Sequence, residues 1–138
     1  MEFIEIRTQP EMEEAFGIIR ELIPELDKEV FFKSLNHDLL KNHKIFGLRS
    51  SEKLVSVAAI WLLMNGLFEK LLWIYAFVTT KEMRSKGFGK KLLMNLEAYA
   101  VRENFNEIRV HAHCERAIAF WENKANFDLF SHVLRKKI

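Results

Sequence analysis

The sequence predicts an α/β domain built around one mixed central sheet, in the order β-α-α-β-β-β-α-β-α-β. Three observations carry this expectation. An apolar run over residues 71–78 leads into Arg84-Ser85-Lys86-Gly87-Phe88-Gly89, after which Leu92, Leu93, Leu96, Tyr99 and Ala100 recur at helical spacing. That is a strand, a glycine loop and a helix. Residues 45–50, 54–64 and 67–79 read as consecutive strands joined by turn residues, with Asn65-Gly66 the dipeptide of a type I′ hairpin. The chain has 138 residues, 49% of them hydrophobic and 29% charged, a globular composition and enough chain to bury one core.

The remaining elements follow in order. Residues 3–7 alternate as a first strand. Thr8-x-x-Glu11, with Pro10 in the first turn, is a capping box. Met12, Ala15, Phe16, Ile19, Leu22 and Ile23 make the apolar stripe of the helix it opens, and Pro24 ends that helix. Asp27 caps a second helix with Val30, Phe31, Leu35 and Leu39 facing inward. Ser51-Glu52-Lys53 makes the turn between the second and third strands. The helix after the glycine loop spans about residues 87–102, with Asn104 as its left-handed cap. Residues 107–112 form a strand, 115–124 a short helix and 127–135 a last strand. No repeat, linker or low-complexity stretch interrupts residues 1–138, which read as one domain.

Charge is unevenly placed. Residues 1–30 carry a net of −6 and residues 31–138 a net of +8, which suggests two surfaces of opposite sign. No apolar run approaches the ~20 residues of a membrane span, and the first residues lack the pattern of a secretory signal. One cysteine, Cys114, has no partner for a disulfide within the chain, so a reduced, cytoplasmic setting is expected.

The glycine loop has a physical use. Glycine lets a backbone approach a ligand closely. The first N–H groups of the following helix lack internal partners and carry the positive end of its dipole, so an anion binds there. Arg84, Lys86, Lys90 and Lys91 add full charges; a phosphate or pyrophosphate is the expected ligand. The P-loop pattern fails because Lys91 follows Lys90 where Ser or Thr is required, and the dinucleotide pattern fails because Leu92 stands at its third small position.

Arg84-x-x-Gly87-x-Gly89 does resemble the pyrophosphate loop of the GNAT-superfamily N-acetyltransferases. The likeness extends over almost the whole chain. Residues 114–121 (Cys-Glu-Arg-Ala-Ile-Ala-Phe-Trp) are similar to that family's Asn-x-x-Ala-x-x-Phe-Tyr segment, and Asn126-Phe127 stands for its Gly-Phe pair, Asn being tolerant of left-handed dihedrals.

The resemblance implies acetyl-CoA as cosubstrate, with no metal. It implies that Arg84, Ser85, Lys86, Gly87, Phe88, Gly89 and Lys90 cradle the pyrophosphate. It also implies that Phe77 and Val78 lie along the pantetheine arm, where the strand splays from its neighbour, with a backbone N–H near Val78 polarising the thioester. The implied reaction is acetyl transfer to an amine, on a small molecule or a protein. The family's usual carboxylate base is missing, since Ile74, Tyr75 and Ala76 occupy its places, and Trp121 replaces its tyrosine acid. His111 and His113, which alternation puts on one face of the fifth strand, are replacement bases, and Tyr75 is a further catalytic candidate beside His111. His111-x-His113-Cys114 is a poor zinc spacing. Glu11, Glu13, Glu14, Glu21, Glu25, Asp27 and Glu29 form an acidic rim that favours a cationic acceptor.

A second reading is a module of the same fold that holds acetyl-CoA or CoA without transfer chemistry. A nucleic-acid binder is a third, disfavoured because the basic residues gather at a loop suited to pyrophosphate and no base-stacking motif accompanies them. No membrane partner is expected, and a homodimer is compatible with the family.

Overall fold

The structure, a computed structural model, describes residues 1–37 and 41–138. Five strands stand in the order β1 (Glu2–Glu5), β2 (His43–Ser50), β3 (Lys53–Met64), β4 (Lys70–Thr79) and β5 (Glu107–Val110). The first four are antiparallel neighbours, and β5 runs parallel to β4. The helices are α1 (Gln9–Leu22), α2 (Lys28–Ser34), α3 (Phe88–Arg102) and α4 (Glu115–Ala119).

Local chemistry sets these elements. The capping box forms: the Glu11 carboxylate accepts from the Thr8 N–H at 2.9 Å and the Thr8 hydroxyl accepts from the Glu11 N–H at 3.3 Å. Asp27 caps α2 through the Val30 N–H at 3.0 Å. Asn104 and Asn126 adopt left-handed φ of 61° and 59°, the conformation asparagine accepts at least cost.

Two cores sandwich the sheet. Ala15, Phe16, Ile18 and Ile19 of α1 and Phe31 of α2 pack on Ile45, Val57, Ala59, Ala76 and Val78. On the other face Leu92, Leu93, Leu96 and Ala100 of α3 pack with Trp121 on Phe46, Ala58, Ile60, Leu72 and Ile74. The strand-helix-strand unit β4-α3-β5 thus lies with its crossover helix on one face, which makes its two strands parallel.

The structure corrects four expectations. The type I′ geometry belongs to Ser51 and Glu52, with φ of 52° and 66°, and not to Asn65-Gly66. Asn65 opens a longer connection in which its side-chain carbonyl accepts from the N–H groups of Leu67 and Glu69 at 2.9 and 3.0 Å, and Phe68 takes the left-handed position at φ 61°. That side-chain bonding competes with the two-residue turn. Val30 of α2 points to solvent while Phe31 is buried; Leu39, expected inward, lies outside the described residues. Residues 115–124 divide into α4 and a π-turn, Phe120–Lys124. Residues 127–135 form no strand: their apolar positions, Leu129, Phe130, Val133 and Leu134, come in adjacent pairs and are exposed, so no single face is available to bury.

Candidate active site

The parallel β4–β5 ladder runs from Leu71↔Glu107 to Ile74↔Val110 and stops there. On the other side of β4, Ala59 pairs with Ala76 and Ile60 with Ile74, which leaves Tyr75 as the extra residue of a bulge. A bulge bends its strand. Beyond it, β4 has β3 as its partner and no β5 rung, so a gap opens along residues 75–79.

Hydrogen-bond phase shows which main-chain groups face that gap. The Thr80 N–H donates to the Val55 carbonyl at 2.9 Å, so Val78, two residues back and paired with Val57, also directs its N–H and C=O toward β3. Those of Phe77 and Thr79 point the other way. Of the two strand residues expected along the pantetheine arm, Phe77 therefore presents free main chain, while Val78 is engaged by the sheet and its side chain is buried. The Thr79 carbonyl accepts from Arg84 Nε at 3.0 Å.

The glycine loop leads from β4 into α3. Ser85 has φ 61° and Gly87 φ 85°, and Gly87 is the N-cap of α3 with no side-chain cap bond. The α1 and α2 N-termini are closed by Thr8 and Asp27; that of α3 is not, and its first turn carries no acidic residue. Its leading N–H groups, on Phe88, Gly89 and Lys90, are thus open to an anion. A Cβ on Gly87 would meet nothing within 4 Å, and one on Gly89 would stand 3.5 Å from Thr79 Oγ1; Gly87 is required by its dihedral angle rather than by crowding. The side chains of Lys86 and Lys90 are exposed, and Phe88 packs against the α3 core.

Glu21, at the end of α1, braces the approach to this loop. Its carboxylate accepts from the Thr80 hydroxyl at 2.7 Å and the Lys81 N–H at 2.8 Å, and lies 3.8 Å from Arg84 Nη2. Most other carboxylates of the expected acidic rim are also engaged locally. Glu13 pairs with Lys28, Glu14 with Arg49 and Glu29 with Lys33, while Glu11 and Asp27 are caps. Backbone N–H groups of Thr8 and Arg7 hold the Glu11 carboxyl below its ordinary range, and Lys28 and Arg49 do the same to Glu13 and Glu14. Lys28, Arg49 and Lys33 thus offset the charges of Glu13, Glu14 and Glu29, while Glu11 and Asp27 stay ionised as caps.

Trp121 is a core residue at 6% exposure. Its ring lies about 5 Å from those of Phe77 (5.1 Å), Phe120 (5.0 Å) and Phe127 (5.0 Å). The two catalytic candidates occupy the sheet face toward α1 and α2. Tyr75 stacks on Trp61 with centroids 5.0 Å apart and lies 5.0 Å from the His43 ring. His111 stands edge-on to Trp73 at 4.7 Å and 6.2 Å from His113, so the two histidines do share one side, just past the end of β5. Trp61 Nε1–H donates to His43 Nδ1 at 3.0 Å, and Tyr75 Oη lies 3.2 Å from the same nitrogen. Burial lowers the His43 pKa and pushes that of Tyr75 up to about 12, so at neutral pH both are uncharged. Sequence did not single out His43, Trp61 and Trp73, because what brings them together is the register of β2, β3 and β4.

A cavity of about 810 Å³ at the far end of the other sheet face is lined by Lys44, Lys70, Tyr99, Arg102 and Phe105 among others, and shares no residue with the loop or the gap. Among the described residues no cluster of three or more His, Cys, Asp or Glu could hold a metal ion, and no helix is long and apolar enough to cross a membrane.

A strand that parts from its parallel neighbour at a bulge is thus followed directly by a glycine loop and an uncapped helix. The chain belongs to the acetyltransferase (GNAT) family, whose sequence profile matches residues 8–127. It is 26% identical over 137 residues to the uncharacterized N-acetyltransferase YhdJ of Bacillus subtilis (strain 168), covering 97% of this chain and 96% of that one. It shares its fold with a GNAT family acetyltransferase of Staphylococcus aureus (TM-score 0.77, 20% identity, 100% of both chains). An aminoglycoside acetyltransferase from an uncultured soil metagenomic sample, solved with sisomicin, has the same fold (TM-score 0.75, 18% identity, 99% of this chain and 95% of that one).

Proposed function

We propose that this acetyltransferase uses acetyl-CoA and transfers its acetyl group to an amine. The observation that carries the proposal is the adjacency of the open α3 N-terminus to the stretch of β4 that β5 leaves unpaired. The residues fit the cosubstrate. N–H groups of Phe88, Gly89 and Lys90, with Lys86 and Lys90 as charges, would hold a pyrophosphate. Arg84 holds the loop to Thr79 and Glu21 and adds positive charge beside it. The Phe77 main chain would pair with the amide-bearing arm.

Acetyl-CoA supplies the activated acyl group. The chain must then deliver a neutral amine, which costs about 4–5 kcal/mol at pH 7 for a pKa of ~10.4. A carboxylate base is not available on the sheet near the gap: across β2 to β5 the sole acidic residue is Glu107. His111, exposed and free to meet solvent, takes the amine proton directly or through water in this reading. Tyr75 keeps its own proton and acts as a hydrogen-bonding group.

The experiment is calorimetric titration with acetyl-CoA, followed by thiol release with a panel of amines. Binding together with amine-dependent thiol release is expected. No binding contradicts the proposal, and binding without release from any amine would favour a module that holds the cosubstrate without transfer.

A further inference from the structure

A row of rings crosses the sheet at the mouth of the gap. His43 on β2 pairs with Trp61 on β3, Trp61 with Trp73 on β4, and Trp73 with Arg109 on β5. Alternation puts His43 on the same face as Ile45, and Trp61 on that of Ala59, which is the face α1 and α2 cover. The row lies beyond the residues those helices cover. Tyr75 is pushed out by the bulge and remains 42% exposed. It completes a three-ring cluster in which His43, Trp61 and Tyr75 are mutually 5.0–5.1 Å apart.

Cross-strand aromatic pairing stabilises sheets on its own account, but two features exceed that role. A single nitrogen, His43 Nδ1, is contacted by both the Trp61 N–H and the Tyr75 hydroxyl, so His43 is a positioning residue that fixes both rings. The cluster also stands where the β4–β5 ladder ends, at the point an acceptor must reach to meet the proposed thioester.

The charge around it selects among amines. Glu107, the one carboxylate on these four strands, is committed to Arg109 at 3.2 Å, and Arg109 in turn lies over Trp73 at 5.6 Å. A polyamine or aminoglycoside would bring several ammonium groups to a surface with no unpaired strand carboxylate and a guanidinium at its edge. A single ammonium on a ring or hydrocarbon body suits it: the body stacks and the charge sits over a ring face. Resting on the acetyltransferase reading above, we infer that the His43–Trp61–Tyr75–Trp73 surface is the acceptor subsite and that the acceptor is a singly charged aryl- or alkylamine.

The test compares phenethylamine, tryptamine and hexylamine with spermidine and an aminoglycoside, using the wild type, Trp61→Ala, Trp61→Phe and Tyr75→Leu. The monoamines should exceed the polycations in kcat/KM by about tenfold or more. Trp61→Ala should raise the monoamine KM about tenfold with acetyl-CoA affinity unchanged, and Trp61→Phe should restore most of the loss. If Trp61→Ala fails to fold, the exposed Tyr75→Leu carries the same expectation. Preference for polycations, or an acceptor KM indifferent to these substitutions, overturns the inference while intact acetyl-CoA binding leaves the acetyltransferase reading standing. Loss of acetyl-CoA binding in the wild type would instead remove the reading on which the inference rests.

Discussion

Ile74 and Val110 form the last rung of the parallel β4–β5 ladder. One residue later Tyr75 bulges, and the main chain of β4 changes from a shared strand to one with a free side. The phase set by Thr80 and Val55 gives this a residue-level consequence. Without ligand, the amide hydrogens of Phe77 and Thr79 should exchange much faster than that of Val78, which is engaged by β3. Acetyl-CoA should slow exchange at Phe77 and leave Val78 unchanged. Equal protection at all three amides in the ligand-free protein would show the gap to be closed.

Trp121 stands where the resemblance would put a tyrosine acid, and it is enclosed by Phe77, Phe120 and Phe127. Trp121→Tyr should cost stability, about 1–3 kcal/mol for lost packing and a buried hydroxyl, read as a lower Tm. Turnover should change by less than about tenfold, because a thiol of pKa ~8.5 leaves as thiolate with little need of an acid. A gain of a hundredfold would show that the residue at this position limits the chemistry.

Six of the seven carboxylates of the expected acidic rim are caps or ion-pair partners. Raising salt from about 0.05 to 0.5 M should therefore move the acceptor KM by less than about twofold. The acetyl-CoA KM should rise severalfold over the same range, since in the proposed site the exposed Lys86 and Lys90 would face its phosphates. A strongly salt-dependent acceptor KM would restore the rim as a steering field.

His43 supplies a pH signature. Burial depresses its folded-state pKa below 6.5, so the unfolded chain binds the proton more readily. The stabilisation is present above about pH 6.5 and is lost as pH falls through the lower folded value. Protonation at Nδ1 would also expel the Trp61 donor. Urea midpoints measured from pH 7.5 to 5 should fall for the wild type and fall less for His43→Gln. Parallel curves would exclude His43 as the source.

Much of the frame was legible in the sequence because its signals are local. The capping box, the Asp27 cap, the apolar stripes, the glycine loop and the left-handed asparagines each depend on a few adjacent residues. The ring row was not legible, because it depends on register. A two-residue Asn65-Gly66 turn would pair Met64 with Leu67 and set Trp61 against Lys70. The observed five-residue connection pairs Met64 with Lys70 and brings Trp61 against Trp73. The bonding of the Asn65 side chain to Leu67 and Glu69 thus decides which aromatic residues meet. The engagement of Glu21 with Thr80 and Lys81 spans about 60 residues of sequence and has no local trace.

The central claim is that the loop before α3 holds the pyrophosphate of acetyl-CoA, and Gly87 tests it most directly. Its φ of 85° is left-handed, where a β-branched residue costs about 1–2 kcal/mol, and a Cβ there meets nothing within 4 Å. Gly87→Val should therefore remain folded while turning its loop away from the conformation that gathers the N–H groups of Phe88, Gly89 and Lys90. Calorimetric titration of acetyl-CoA into the wild type and Gly87→Val, with circular dichroism as the check on folding, is the decisive measurement. Saturable binding to the wild type and none to the folded variant is the predicted result; equal affinity in the two proteins would contradict the assignment.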